Sequence, residues 1–129
     1  LRDSGLMNTL NHIESNDQMR TSPLKGAIWE GFALEEVIKA LHLNPEECFF
    51  FRTYGGAELD LFILKNGERI GFEFKYGDVP KTTKSMHIVL ENLKLSKLYV
   101  IYPGTRTIHF SDVLIGMGLR EFVTSLQAA

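Results

Sequence analysis

The dipeptide Asn66-Gly67 constrains this chain more than any other two residues. Both central positions of a two-residue hairpin turn need positive φ, and Asn-Gly takes that conformation readily. A turn there fixes the register of the strands on either side. It sets Lys65 against Glu68, Ile63 against Ile70, Leu61 against Phe72 and Leu59 against Phe74. The last three pairs are apolar, as a single buried face requires. The opposite face then sets Asp60 against Glu73, and Glu58 against Lys75.

Like charges directly opposite on a sheet repel. At about 5 Å and an effective dielectric near 20 the repulsion is roughly 3 kcal/mol. Water, a shared proton or a bound cation can each relieve it. A hard divalent ion suits two carboxylates, since Mg²⁺ typically takes one or two of them together with phosphate oxygens and waters. Lys75 lies two residues past Glu73, so its ammonium projects from the same face. An acidic pair beside a lysine is a kit for metal-assisted phosphodiester hydrolysis. The same alternation also fits an ordinary solvated hairpin face.

The 129 residues suit one domain with a real core. No apolar run is long enough to span a bilayer, and no secretory signal is legible at the start. Cys48 is the single cysteine, which excludes an internal disulfide and fits the reducing cytoplasm. A first residue of Leu1 rather than methionine suggests a piece of a longer protein. The small acidic net charge argues against a dedicated nucleic-acid binder. Its distribution is uneven, however. Residues 1–64 carry five Lys/Arg against ten Asp/Glu, and residues 65–110 carry eight against four. A phosphate backbone could lie along the basic part, although any one of those lysines is explained as well by a solvated face.

Along the chain, Leu6, Leu10 and Ile13 outline a short amphipathic helix within residues 1–22. A longer helix is expected from Leu24 to Leu43, with Trp29, Phe32, Ala33, Val37, Ala40 and Leu41 at helical spacing and Asn44-Pro45 ending it. Glu30 shares the stripe of Ala33, Leu34, Val37 and Leu41, so its carboxylate needs either a partner or a route to water. Cys48 to Tyr54 reads as a strand, turned at Gly55-Gly56. A three-residue loop there would set Arg52 opposite Asp60, and a two-residue loop would set Phe51 there. After the Asn-Gly hairpin come a helix over about Lys84–Leu95, a buried strand at Lys97–Tyr102 and an edge strand at Thr107–Phe110. Ser111 is the expected N-cap of a last helix running through Leu126. The four histidines stand at no zinc-ligand spacing, and Ser85 and His87, two apart, do not face each other on a helix.

The expected fold is α/β, an αβββαβ core in which a mixed sheet is flanked by helices. That order, with an acidic helix residue, an aspartate on the second strand and Glu73-Phe74-Lys75 on the third, resembles the PD-(D/E)xK nuclease superfamily, the restriction-endonuclease-like fold. The proline common before the aspartate is replaced by Leu59. A closer likeness runs from about Leu1 to Tyr102. Ser4-Gly5-Leu6, Gly26-x-x-Trp29-Glu30-Gly31-Phe32, Phe51-Arg52-Thr53, Gly56-Ala57-Glu58-Leu59-Asp60 and Glu73-Phe74-Lys75 resemble a domain of unknown function at the C-terminus of predicted prokaryotic AAA+-type ATPases. This implies that residues 1–22 form a helical and loop segment leading from an upstream ATPase region, and that 23–129 form the nuclease-like domain. No Gly-x-x-x-x-Gly-Lys-Ser/Thr loop occurs in the chain.

The resemblance implies catalytic roles for Glu30, Asp60, Glu73 and Lys75. It implies Mg²⁺, or Mn²⁺, held by Asp60, Glu73 and the Phe74 carbonyl. Lys75 would orient water or stabilise developing charge, and Glu58 would tune it or serve as an outer ligand. Arg52 and Lys84 are the expected contacts to nucleic acid. The rival expectation is a catalytically silent interaction or regulatory module that docks on its ATPase, with the same charges forming a local salt-bridge network.

Overall fold

The structure is a computed structural model, and it describes residues 23–53 and 55–128. The expected N-terminal helix, the Ser4-Gly5-Leu6 part of the resemblance and Tyr54 lie outside the described residues.

The first described helix, α1 (Pro23–Ala40), buries Lys25, Trp29, Ala33 and Val37, one residue per turn. It stops short of the expected Leu43. His42 takes a left-handed φ of 55°, and the Leu43 N–H reaches back to the Ile38 carbonyl at 3.1 Å. This Schellman closure ends the helix before Asn44-Pro45 can. Asn44 instead leads a short 3-10 turn, Pro45–Glu47, and donates its N–H to Glu47 Oε1 at 2.8 Å.

Three antiparallel strands follow: β1 (Phe49–Arg52), β2 (Glu58–Lys65) and β3 (Glu68–Phe74). The β2–β3 turn is the expected one, with φ of 53° at Asn66 and 79° at Gly67. The register from Lys65↔Glu68 to Leu61↔Phe72 also agrees. The β1–β2 connection gives neither expected register. Arg52 stands opposite Glu58, and Phe51 opposite Leu59. Thr53 shapes the loop: its hydroxyl accepts the Ala57 N–H at 3.0 Å, and its own N–H donates to the Ala57 carbonyl at 2.8 Å.

Helix α2 (Lys84–Leu93) is capped by Thr83, whose side chain accepts the Met86 N–H, and closes at Lys94 with φ of 51°. It is the crossover to β4 (Lys97–Tyr102), which pairs parallel to β3. The edge strand β5 (Thr107–His109) falls where expected. The reading of Ser111 as a helix cap is corrected. Its hydroxyl accepts the Val113 and Leu114 N–H groups in a turn, which delivers a sixth strand, β6 (Leu114–Gly118), before α3 (Leu119–Ala128) begins. β6 fills the slot between β4 and β5, parallel to β4.

The sheet order is β1-β2-β3-β4-β6-β5, a mixed six-stranded sheet with helices on both sides. One core cluster joins Trp29, Ala33 and Val37 of α1 and Phe122 of α3 to Leu61, Ile63, Phe72, Phe74 and Ile101. The other joins Met86 and Val89 of α2 to Ala57, Leu59, Leu98, Val100 and Leu114. The fold is therefore α/β, as expected. Among the described residues no helix is long and apolar enough to cross a membrane.

Candidate functional site

Leu59 and Leu61 are both buried, yet they belong to different cores: Leu59 lies beneath α2 and Leu61 beneath α1. Strict alternation would have put them on one face. The β1 register explains the break. Phe49 pairs with Phe62 and Phe51 with Leu59, so three steps along β2 span two along β1. That is a β-bulge, with one extra residue in β2, and Asp60 lies within it. The β2–β3 ladder ends at Leu61↔Phe72. The expected ladder pairs Leu59–Phe74, Asp60–Glu73 and Glu58–Lys75 do not form, because the bulge turns β2 out of register at that point.

Past Phe72, β3 keeps its bonds to β4 on one side: the Lys75 N–H donates to the Ile101 carbonyl at 2.9 Å. The alternate N–H groups, of Phe74 and Tyr76, point toward the place β2 has left. Two carboxylates take over. Asp60 Oδ2 accepts the Phe74 N–H at 2.8 Å, and Glu30 Oε2, carried in from α1, accepts the Tyr76 N–H at 3.1 Å. Glu30 thus has the partner that its place on the apolar stripe demanded.

Glu73 is a buried residue, with its side chain only 9% exposed. Its Oε1 is buried with no hydrogen-bond partner. Lys75 Nζ stands 3.8 Å from the other oxygen. Burial pushes the Glu73 carboxyl up to about 7, the negative Asp60 pushes the same way, and Lys75 opposes them. Asp60 is also raised, chiefly by burial, against the lowering effects of the Phe74 N–H and Lys75. Glu58 raises both groups. A buried carboxyl that is made harder to ionise by a second carboxylate beside it is the kind of group that attracts a cation or keeps a proton.

A cleft of about 330 Å³ reaches Asp60 and Phe74 from the α1 side, past Glu30, Leu34, Phe50, Arg52 and Glu58. Glu73 and Lys75 do not line it; they meet Asp60 from the α2 side of the sheet. Arg52 Nη2 pairs with Glu58 Oε1 at 3.0 Å, both side chains being more than half exposed. Lys84 is exposed in the first turn of α2, next to Ser85, whose hydroxyl accepts the Glu58 N–H at 3.2 Å. It borders the site without lining the cleft. Phe50 was not singled out from the sequence, although its signal was present: it stands two residues before Arg52 and so shares that residue's face of the strand.

The donors fit a hard divalent ion. Asp60 and Glu73 offer carboxylate oxygens, the donor type such an ion takes, and the buried Glu73 Oε1 has no hydrogen-bond partner. Among the described residues no group of three or more His, Cys, Asp and Glu side chains is placed to hold a metal. Mg²⁺ needs only one or two carboxylates, since it completes its shell with water.

Residues 25–122 match the family described as "Domain of unknown function (DUF4143)". An uncharacterized protein of Mycobacterium bovis and one of Mycobacterium tuberculosis are each 34% identical to the chain over 125 residues. The match covers 97% of this chain but 28% of theirs, so the chain spans a little over a quarter of the length of these curated relatives. No solved structure matches the chain.

Proposed function

The chain belongs to the DUF4143 family, and from its site we propose that it is a PD-(D/E)xK nuclease-like domain, a cytoplasmic metal-dependent phosphodiesterase acting on nucleic acid. The observation that carries this reading is the buried, partnerless Glu73 Oε1 beside Asp60, with Lys75 at the other oxygen. Asp60, Glu73 and the Phe74 carbonyl would hold Mg²⁺ or Mn²⁺. When bound, the ion supplies positive charge that polarises the scissile phosphate and favours ionised water as nucleophile. Lys75 stabilises the charge that develops on the phosphate oxygens. Glu30 acts one step removed: by holding the Tyr76 N–H it fixes the chain just after Lys75. Arg52 and Lys84 are candidate phosphate contacts at the rim. The much greater length of the relatives leaves room for the upstream ATPase region that the resemblance implies.

Calorimetric titration of Mg²⁺ and Mn²⁺ into the purified chain, with Asp60→Asn as control, tests the site. Binding that is lost in the variant, followed by metal-dependent cleavage of nucleic acid, supports the reading. Metal-independent behaviour of both proteins rejects it.

A second reading has its own observation. Asp60 and Glu30 both serve as stand-ins for a missing strand, a purely structural task. A catalytically silent interaction or regulatory module of an AAA+-type ATPase would keep those two bonds and need no metal.

A further inference from the structure

The cleft that leads to Asp60 has an aromatic side chain at its mouth. Phe50 is 74% exposed, the most exposed of the large apolar side chains among the described residues. It lies on β1, the edge strand, so nothing in the sheet covers its outer side. Phe50 and Arg52 are two residues apart on one strand and line the same cleft as Asp60 and Phe74. A flat apolar ring beside a guanidinium, open to solvent and in the same cleft as Asp60, is the pairing that receives an unstacked base and its adjoining phosphate. Arg52 is held by Glu58, but an exposed ion pair of this kind contributes little and yields to a phosphate. In a duplex the base faces are already stacked on one another, so an aromatic ring gains nothing by approaching them.

We propose that the strand this cleft accepts is unpaired: Phe50 stacks on an exposed base and Arg52 holds the neighbouring phosphate, so the substrate class is single-stranded nucleic acid. The proposal rests on the metal-dependent nuclease reading for the fate of that strand, but strand binding itself needs neither metal nor turnover.

The test is fluorescence anisotropy of the full chain in EDTA with labelled single-stranded DNA, single-stranded RNA and a blunt hairpin duplex. The wild type is expected to prefer a single strand, the DNA and RNA arms deciding which sugar it takes. Phe50→Ala should weaken that binding by roughly 5- to 100-fold, while Phe50→Trp retains it. Arg52→Ala should weaken it and flatten its salt dependence. A melting curve unchanged in Phe50→Ala shows that folding is not the cause. Preference for the duplex, or single-strand binding unaffected by Phe50→Ala, overturns the proposal. Phe50-dependent strand binding without cleavage in Mg²⁺ or Mn²⁺ upholds it while the nuclease reading falls. Duplex cleavage indifferent to Phe50 does the reverse.

Discussion

Asp60 Oδ2 accepts the Phe74 N–H at 2.8 Å, and this one bond stands where the backbone of β2 would otherwise have met β3. The bulge that breaks the ladder is what frees the carboxylate to reach across. Asp60 therefore has a structural task that can be separated from any chemical one. Asp60→Asn keeps an acceptor oxygen for Phe74 and removes the repulsion with Glu73. Its stability in metal-free buffer should match or slightly exceed that of the wild type, while any cleavage of the kind proposed above should fall by ~100-fold or more. Asp60→Ala leaves a buried N–H without a partner and should lose about 1–3 kcal/mol. Urea denaturation of the two variants, alongside a cleavage assay, separates the tasks. Equal stability of Asn and Ala variants would show that the bond contributes nothing.

Lys75 lies on the other side of the same question. Its charge lowers both Glu73 and Asp60 against the upward push of burial. In Lys75→Ala the Glu73 carboxyl should titrate above its wild-type value of about 7. The fold should survive, since the Lys75 side chain is 53% exposed. Carbon-13 NMR titration of the glutamate carboxyls reads the shift directly. A Glu73 midpoint that does not move would sever Lys75 from the pair, and with it the role proposed for it in catalysis.

The bulge also explains a glycine. Gly71 is buried, and a Cβ there would sit 2.9 Å from a Leu59 methyl and 2.9 Å from a Leu95 methyl. Leu59 packs over Gly71 because the extra residue in β2 turns it toward α2. Gly71→Ala should therefore lose about 1–3 kcal/mol by overpacking. In a Leu59→Ala background the cost should shrink in part, because one of the two obstructing side chains is gone and only Leu95 remains. A double-mutant cycle by chemical denaturation measures that coupling, and additive losses would count against the contact.

The hairpin was legible because Asn66-Gly67 admits one turn geometry, and β4 because Leu98 to Tyr102 is apolar on both faces. The need for a partner at Glu30 could also be read, from its place on an apolar stripe. The bulge could not. Leu59 and Leu61 keep the alternation of an unbroken strand, and only the improbable opposition of Asp60 and Glu73 hinted that the ladder fails there. β6 was hidden for another reason. A short apolar run buried on both sides reads equally well as strand or helix, and Ser111 before it mimics a helix cap while serving a turn. The site thus belonged to residues that composition exposes, and its geometry to a backbone irregularity that side-chain periodicity conceals.

Glu73 makes the stability of the domain depend on pH in a direction opposite to that of a salt-bridged carboxylate. Its carboxyl titrates near 4.5 when unshifted and is raised to about 7 in the fold. Between those values the native chain holds a proton that the unfolded chain has released. Stability is then greatest below about pH 4.5 as far as this group is concerned, falls as pH rises toward 7, and levels off above. The size of the fall is on the order of 3 kcal/mol, and the upward shift of Asp60 adds to it in the same sense. Glu73→Gln should remove most of the slope. A divalent ion that binds the ionised pair should offset the loss above neutrality, so that wild-type profiles in Mg²⁺ and in EDTA diverge as pH increases. Urea midpoints measured from mildly acidic to mildly alkaline buffer, with and without the ion, test both points. A slope that survives Glu73→Gln would assign the linkage to another group. Profiles that coincide in Mg²⁺ and EDTA would show that the ionised pair takes no metal, and would favour the silent-module reading.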